Sequence, residues 1–343
     1  MIDLPPAEVV RAFGLEHATF EPIDVGLINR TFRVFVDGRP ERVLQRQHAA
    51  FRGEVNLDIE AITRHLAERG IGVPRLLRTP DGRAWFEHEG RAWRMLEHLE
   101  GITVSRVERP SLARAGAELV GRFHAAIDGF EHTFHFTRPG AHDTPAHLAR
   151  LEAALGLHAG HPAIEEVRPV AEAILRHELP RIPPTRTRII HGDLKISNVL
   201  FQRDADVAVA LLDLDTFQHG TLAIELGDAL RSWCNPAGES AEQVKVDVEI
   251  FRAAIEGYAA TAHELLDAEE IASIVPGLET IALELSSRFA LDALEDRYFA
   301  WDATRYPSRT AHDLVRARSQ LALARSAKAL RLELQAIVDR AFA

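Results

Sequence analysis

The chain has 343 residues, with 40 Lys and Arg against 51 Asp and Glu and a formal net charge of −11. Its hydrophobic fraction of 46% and charged fraction of 27% are typical of folded proteins, which excludes disordered, collagenous and coiled-coil chains. Cys234 is the one cysteine, so an intrachain disulfide and a cysteine-rich zinc site are excluded, and we expect a cytoplasmic protein. The acidic net charge disfavours nucleic acid as a partner. The sequence contains no apolar run of about 18 residues, so we expect no membrane span.

The first hundred residues predict a small lobe rich in β-strands. Asp37-Gly38 is a strong hairpin signal, and helical spacing of apolar residues predicts one helix over residues 54–69. Because strands and helices do not alternate here, a doubly wound sheet is excluded. Strands are predicted over residues 19–25, 31–36, 43–47, 75–79, 83–87 and 92–96.

The rest of the chain predicts mostly helices. From residue 241 to the end nearly every segment has helical spacing, with expected breaks at Pro276-Gly277 and Tyr306-Pro307. The architecture expected is α+β, with a small β-rich lobe followed by a large helical lobe. Earlier helices are predicted over residues 112–127, 145–157 and 164–177.

Two segments contain the pattern with the most chemical content. Residues 191–201 read His-Gly-Asp-Leu-Lys-Ile-Ser-Asn-Val-Leu-Phe, and residues 211–216 read Leu-Leu-Asp-Leu-Asp-Thr. The first has the form H-x-D-x-x-x-x-N before an apolar strand, and the second is an acidic pair after another apolar strand. Their order and spacing predict the catalytic loop and the metal-binding segment of a kinase-like phosphotransferase.

Phosphoryl transfer explains these residue types, because it requires an oriented hydroxyl and cations around the phosphates. We expect Asp193 to orient the acceptor hydroxyl and take its proton, and Lys195 to neutralise the transferring phosphate. His191 is expected to hold the loop in shape. Oxygen ligands for Mg²⁺ are expected from Asn198, Asp213 and Asp215.

Further segments along nearly the whole chain extend the pattern: residues 26–32, 43–46, 141–145, 213–216, 227–231, 284–299 and 314–321. With them the chain resembles the aminoglycoside-phosphotransferase and choline-kinase group, and most closely its N-acetylhexosamine 1-kinase branch. The resemblance implies a bilobal protein-kinase-like fold, with residues 1–98 as the amino-terminal lobe and residues 99–343 as the carboxyl-terminal lobe. It also implies ATP as co-substrate, Mg²⁺ as cofactor and a small hydroxyl-bearing acceptor.

The resemblance also implies residue roles. Asp228 is expected to hydrogen-bond back to the catalytic loop. Arg46 is expected to contact phosphate where kinases have a strand lysine, because a guanidinium binds phosphate in a bidentate manner. Other nucleotide contacts are expected at Gly26, Asn29, Thr31, Glu97 and Leu99. The acceptor pocket is expected to contain Arg288, Asp292, Tyr298 and Trp301.

Several alternatives stay open. The favoured acceptor is an amino sugar or N-acetylhexosamine, phosphorylated at its anomeric hydroxyl. An aminoglycoside or an amino alcohol of the choline or homoserine type is the alternative. Carboxylates in the pocket would favour that alternative, and an arginine would argue against it. Outside this class, a catalytically silent nucleotide-binding protein and a metal-dependent hydrolase are also considered.

Seventeen histidines raise the question of a metal site. His132 and His135, like His158 and His161, have the i, i+3 spacing that can place two rings together. No third ligand is evident in the sequence beside either pair. We therefore interpret them as exposed or capping residues.

Overall fold

The computed structural model describes residues 4–23, 29–241 and 243–343. Its amino-terminal part is an antiparallel sheet with the strand order β1-β2-β3-β6-β4, and β5 pairs with β6. The Asp37-Gly38 turn predicted from sequence joins β2 to β3, and both residues have positive φ. The strands are β1 (Thr19–Ile23), β2 (Arg30–Val36), β3 (Arg39–Arg46), β4 (Leu76–Leu77), β5 (Phe86–His88) and β6 (Arg91–Glu97).

One face of this sheet has its own small core. Leu44 of β3 packs there with residues of β2 and β6, and the short helix α1 (Ala7–Ala12) covers them with Val9. The sequence analysis did not predict α1. Because strand side chains alternate, Val43 and Gln45 point to the opposite face and line the cleft beneath the sheet.

Helix α2 (Val55–Ala67) confirms the helix predicted over residues 54–69. Its buried residues Ile59 and Ile62 join the main core of the helical lobe rather than the core of the sheet. On its other side Leu57 packs against a cluster that contains Leu76 and Leu96 of the sheet. The helix therefore lies between the sheet and the helical lobe.

The carboxyl-terminal part is the large helical lobe that the sequence predicts. Two short antiparallel strand pairs interrupt it, β7 with β10 and β8 with β9. Within the described residues, each helix is too short or too polar to cross a membrane. The strands are β7 (Arg188–Ile190), β8 (Val199–Phe201), β9 (Ala208–Leu211) and β10 (Gln218–Gly220). The helices are α3 (Pro110–Ile127), α4 (Thr144–Leu157), α5 (Ile164–Leu175), α6 (Leu222–Trp233), α7 (Val248–Ala262), α8 (Ala268–Glu295), α9 (Arg309–Ala329) and α10 (Arg331–Ala341).

The break predicted at Pro276-Gly277 is wrong, because α8 runs through both residues. A Cβ atom on Gly277 would lie 2.2 Å from the carbonyl oxygen of Ala223 in α6, so the two helices touch through their backbones. This close packing holds α8 together although Pro276 removes one backbone hydrogen bond. The break predicted at Tyr306-Pro307 is confirmed, since α9 begins after it with Ser308 as its N-cap.

Candidate active site

A cleft of about 1280 Å³ lies between the sheet and the helical lobe. Val43, Gln45 and Leu96 line it from the sheet, and the segments that join β7 to β8 and β9 to β10 line it from below. Small-ligand pockets usually have volumes of roughly 300–1,000 Å³. The cleft therefore has room for two small ligands at once.

The segment after β7 forms a rigid loop at the base of the cleft. His191 has no exposed surface, and its Nε2 lies 2.9 Å from the carbonyl oxygen of Leu212, which ties the loop to the end of β9. Gly192 has a φ of 78°, and a Cβ there would lie 2.5 Å from the carbonyl oxygen of Thr216. Only glycine fits at this position, which explains the His-Gly-Asp order.

Asp193 lies at the centre of a polar cluster in the cleft. Its Oδ2 accepts hydrogen bonds from Lys195 Nζ at 2.6 Å and from Asn198 Nδ2 at 3.0 Å. Burial alone would raise the pKa of Asp193, but the charge of Lys195 outweighs it and the pKa falls below its ordinary value. The carboxylate is therefore ionised at neutral pH, and can accept a hydrogen bond from a substrate hydroxyl.

Asp213 faces the same cluster from the end of β9. Its backbone is left-handed, with a φ of 60°, a conformation that costs about 1–3 kcal/mol in a non-glycine residue. Its Oδ2 lies 3.8 Å from Lys195 Nζ. Burial together with the charges of Asp193 and Asp215 raises the pKa of Asp213, although Lys195 opposes the shift. These crowded carboxylates favour a bound cation.

The carboxylate of Asp215, predicted as a metal ligand, lines the cleft but already accepts several hydrogen bonds. Both of its carboxylate oxygens receive hydrogen bonds from the Arg94 guanidinium, with Nη2 at 3.0 Å from Oδ2. Asn29 Nδ2 donates to Oδ2 at 2.7 Å, and Gln47 Nε2 lies 3.3 Å from Oδ1. Asp215 therefore joins the sheet to the catalytic segments, and its role as a metal ligand stays a prediction.

The structure does not support the phosphate contact predicted at Arg46. Arg46 is exposed and does not line the cleft, because it shares a strand face with Leu44. Gln45, one residue earlier, faces the cleft and donates to Thr31 Oγ1 at 3.1 Å. On the neighbouring strand β6, Arg94 also lines the cleft, and it donates to Gln45 Oε1 at 2.7 Å. The alternation of side chains along β3 could have predicted that Arg46 points away from the cleft. The position of Arg94 beside Gln45 depends on the pairing of β3 with β6, which the sequence does not show.

The carboxylate that holds the catalytic loop is Glu225 rather than Asp228. Glu225 has no exposed surface, and it accepts the backbone N–H groups of His191 at 2.8 Å and Gly192 at 2.9 Å. Asp228, one turn later on α6, faces the cleft and pairs with Arg231 at 2.8 Å. No described residue donates to its buried Oδ2. The sequence analysis selected the wrong one of two carboxylates three residues apart.

The remaining residues predicted for the nucleotide lie at the sheet end of the cleft. Asn29, Thr31, Glu97 and Leu99 all line it. The side chain of Asn29 is already committed, since its Oδ1 accepts the backbone N–H of His48 at 2.9 Å while its Nδ2 donates to Asp215. Gly26 lies outside the described residues.

The opposite end of the cleft contains Arg288 of α8. Its guanidinium lies 5.6 Å from the ring centres of both Tyr298 and Phe299, and all three residues line the cleft. One turn earlier, Glu284 accepts hydrogen bonds from His142 Nδ1 at 3.0 Å and from the Thr144 hydroxyl at 2.6 Å. Cationic, anionic and aromatic groups therefore meet within this end of the cleft.

Two residues predicted for the acceptor pocket have other surroundings. Asp292 is buried, and its oxygens accept the backbone N–H groups of Arg297, Tyr298 and Phe299 at 2.8–3.0 Å. It therefore positions the pocket loop and does not line the cleft. Trp301 is half-buried outside the cleft lining, whereas Phe299, which the sequence analysis did not select, lines the cleft.

Residues 19–269 match the profile of the family described as "Phosphotransferase enzyme family". The chain belongs to this phosphotransferase family. A homoserine kinase from Methylobacillus flagellatus is 28% identical over 275 residues, which cover 80% of this phosphotransferase and 78% of the relative. A homoserine kinase from Pseudomonas aeruginosa is 32% identical over 255 residues, which cover 67% of this chain and 74% of the relative.

Solved structures share the fold of this phosphotransferase. An aminoglycoside phosphotransferase from Alicyclobacillus acidocaldarius superimposes with a TM-score of 0.62 at 16% identity, over 99% of this chain and 98% of that one. An amicoumacin kinase in complex with AMP-PNP, Ca²⁺ and Ami gives a TM-score of 0.57 at 16% identity, over 90% of this chain and 88% of that one. The predicted protein-kinase-like fold is confirmed, and the protein is a small-molecule phosphotransferase.

Proposed function

We propose that the protein transfers the γ-phosphoryl group of ATP to the hydroxyl of a small zwitterionic acceptor, a hydroxy amino acid of the homoserine type. The observation that carries the transfer chemistry is the cluster of Asp193, Lys195, Asn198 and Asp213 on one wall of the cleft. The cluster combines a base within reach of a hydroxyl, a cation for phosphate and oxygen ligands for a metal ion.

The donor set fits a hard divalent cation. Asp213 offers a carboxylate whose raised pKa reflects burial and excess negative charge around it. Asn198 directs its amide nitrogen to Asp193, so its amide oxygen is the atom that it offers to a cation. Mg²⁺ prefers such oxygen ligands, and once bound it would neutralise charge on the phosphates. The relative that was solved with AMP-PNP and Ca²⁺ supports a nucleotide with a divalent cation.

The sheet end of the cleft suits the adenine base. Apolar side chains line it above and below, and Glu97, His98 and Leu99 form the edge that connects the two lobes. Backbone groups of this edge can hydrogen-bond to the base, and the proposed lobe boundary lies near His98. The apolar residues are Val43, Pro74, Leu96, Ile102, Leu200 and Leu212.

The acceptor end combines opposite charges. Asp228 presents a buried oxygen without a donor among the described residues, which suits an ammonium group. Arg288 has its guanidinium in the cleft, held loosely by Glu284 at 3.9 Å, which suits a carboxylate. A hydroxy amino acid compensates both charges, whereas an N-acetylhexosamine is neutral. The arginine argues against acceptors that are only cationic, such as choline and aminoglycosides, but not against an acceptor that also has a carboxylate. The homoserine kinases among the relatives support this choice over the amino sugar favoured by the sequence resemblance.

In the proposed reaction Asp193 accepts the hydrogen bond of the acceptor hydroxyl and takes its proton. The hydroxyl oxygen forms a bond to the γ-phosphorus while the bond from that phosphorus to the bridging oxygen breaks, and ADP leaves. Lys195 lies between Asp193 and Asp213, where it can stabilise the charge on the phosphoryl oxygens. Glu225 keeps the loop in place through its two backbone hydrogen bonds.

The test is ADP release with ATP and Mg²⁺ and one of four acceptors: homoserine, choline, an aminoglycoside or N-acetylglucosamine. We expect acceptor-dependent ADP formation that is fastest with homoserine, together with a phosphomonoester signal in the ³¹P spectrum. ADP formation at the same rate without acceptor would identify a hydrolase instead. ATP binding without turnover of any acceptor would identify a silent nucleotide-binding protein, and an anomeric phosphate signal would restore the amino-sugar alternative.

A further inference from the structure

A cluster of Asp58, His132 and His135 lies away from the catalytic cleft. The Oδ1 atom of Asp58 is 2.9 Å from His132 Nε2 and 2.9 Å from His135 Nδ1. All three potential ligand atoms lie within 4.8 Å of one another. We propose that these residues form a binding site for a transition-metal ion of the Zn²⁺ type.

The structure supplies the third ligand that the sequence did not show. Asp58 lies on α2, more than seventy positions before the histidines, which follow α3. Folding brings α2 against this segment, and the carboxylate reaches both rings. Two imidazoles and one carboxylate are a common ligand set for Zn²⁺ with an open fourth position.

The spacing suits a metal ion of this size. In a tetrahedral site with bonds of about 2.1 Å, ligand atoms stand roughly 3.4 Å apart. The two oxygen-to-nitrogen distances of 2.9 Å therefore need to lengthen by only a few tenths of an ångström. The exposed His135 ring, with 49% of its side chain accessible, can make this movement and leaves an entry path for the ion.

Burial and charge give independent support. The side chain of Asp58 is 1% exposed, and within the described ranges its ion-pair partners are the two imidazoles. A buried carboxylate requires a compensating charge. A divalent ion would supply it and would be neutralised in part by the same carboxylate.

The surroundings also resemble those of metal ligands. The backbone N–H groups of His135 and Phe136 donate to Asp58 at 2.8 Å and 3.0 Å, which fixes the orientation of its carboxylate. The His132 ring stacks on Phe130 and meets Phe134 edge to face. These apolar rings limit water at one side of the site.

A metal ion here would act on the cleft through the chain. Phe136, Thr137 and Arg138 follow His135 directly and line the acceptor end. Arg138 donates to the Tyr298 hydroxyl at 3.2 Å. Fixing His135 to α2 therefore fixes the start of a segment that shapes the acceptor pocket.

The test uses the full chain without a histidine tag, treated with chelator and returned to excess Mg²⁺ so that oxygen-ligand sites are filled. Titration with Co²⁺ is followed by its visible d–d absorption, which reports imidazole ligands in a low-coordinate site. We expect saturation at one Co²⁺ per chain, and bleaching when Zn²⁺ displaces it. Zn²⁺ should also raise the thermal unfolding temperature of the chelator-treated protein.

The variants are His132→Ala and His135→Ala, each expected to weaken Co²⁺ affinity by about 100-fold or more. The matched control is the double variant His158→Ala, His161→Ala, because this pair also has i, i+3 spacing but its rings have no carboxylate ligand in the described part of the chain. The control should bind like the wild type. Absence of the absorption band in the wild type, its persistence in both test variants, or its loss in the control would each overturn the proposal. Circular dichroism without metal confirms that every variant is folded.

Discussion

The guanidinium of Arg94 and the carboxylate of Asp215 face each other in the interior, with Nη2 3.0 Å from Oδ2 and about 1% of each side chain exposed. Arg94 belongs to the sheet, and Asp215 follows the proposed metal ligand Asp213 by two residues. The pair therefore joins the wall proposed to cover the nucleotide to the segment proposed to bind the cation.

Removing one partner should be costly. Arg94→Met leaves the Asp215 charge buried without its main partner, which typically lowers the free energy of unfolding by about 3–5 kcal/mol. Urea unfolding at neutral pH measures this change. Arg46→Met, at an exposed position of the adjacent strand, is the control and should change stability by less than about 0.5 kcal/mol. Equal stability of the two variants would contradict the role given to the pair.

Asp193→Asn should separate chemistry from binding. An amide cannot take the hydroxyl proton, so we expect kcat to fall by about 10²–10⁴-fold while the dissociation constant for ATP changes little. Steady-state ADP release and nucleotide titration measure the two effects. Asp204→Asn, in the exposed turn between β8 and β9, should leave both unchanged. Wild-type turnover of Asp193→Asn would remove this residue from the reaction.

Glu225→Gln and Asp228→Asn should act on different kinetic constants. In Glu225→Gln one of the two accepting oxygens becomes an NH₂ group, which cannot accept the hydrogen bond of a loop N–H. The catalytic loop should then be less well held, so kcat should fall and the free energy of unfolding should drop by about 1–3 kcal/mol. The second changes the proposed ammonium contact, so the KM for the acceptor should rise more than kcat falls. Acceptor titrations at saturating ATP distinguish them. The reverse pattern would restore the original assignment of Asp228 to the loop.

Arg288→Ala should raise the KM for the acceptor by about tenfold or more, because a hydrogen bond to a charged group contributes roughly 1.5–3 kcal/mol. The KM for ATP should stay within about twofold. Arg318→Ala, exposed on α9, controls for the loss of a positive charge. A larger effect on ATP than on the acceptor would place Arg288 at the nucleotide instead.

The pair His142–Glu284 should make stability depend on pH. Burial would lower the pKa of His142, but the hydrogen bond and charge of Glu284 raise it above 6.5. Burial would raise the pKa of Glu284, but the hydrogen bond and charge of His142 lower it below 4.5. The pair therefore stabilises the protein fully between about pH 4.5 and pH 6.5. This stabilisation is lost as the pH rises through the raised pKa of His142, and also as the pH falls through the lowered pKa of Glu284. The unfolding free energy lost in His142→Asn should be larger near pH 6 than near pH 9. A loss that grows with pH would contradict the ion pair.

Residues whose roles depend on local spacing could be predicted from the sequence. Asp193, Lys195 and Asn198 lie within six positions, and the loop geometry that unites them is encoded there. Arg94 and Asp215 are 121 positions apart, and their contact exists only after the sheet has formed. Arg46 was misassigned because a shift of one residue along a strand reverses the face that a side chain occupies.

A comparable ambiguity affects helices. Glu225 and Asp228 are three residues apart on α6, so helical spacing gives both a similar direction, and only the packing of α6 against the loop decides which reaches it. The Pro276-Gly277 break failed for the opposite reason, since close contact with α6 overrides local preference. The link between Asp58 and the two histidines likewise depends on tertiary packing.

Helix α2 contacts two apolar clusters of different size, one shared with the helical lobe and one shared with the sheet. Ile59 and Ile62 anchor α2 in the main core, whereas the cluster between α2 and the sheet has the smaller buried set Leu76, Ala84 and Leu96 among the described residues. Less buried apolar area stabilises a contact less, so we expect the sheet to separate from α2 more readily than α2 separates from the helices. Because Arg94 joins the sheet to Asp215, a movement of the sheet would also act on the backbone beside Asp213. We therefore expect closure of the sheet over a nucleotide to change the position of the carboxylate proposed to bind the cation.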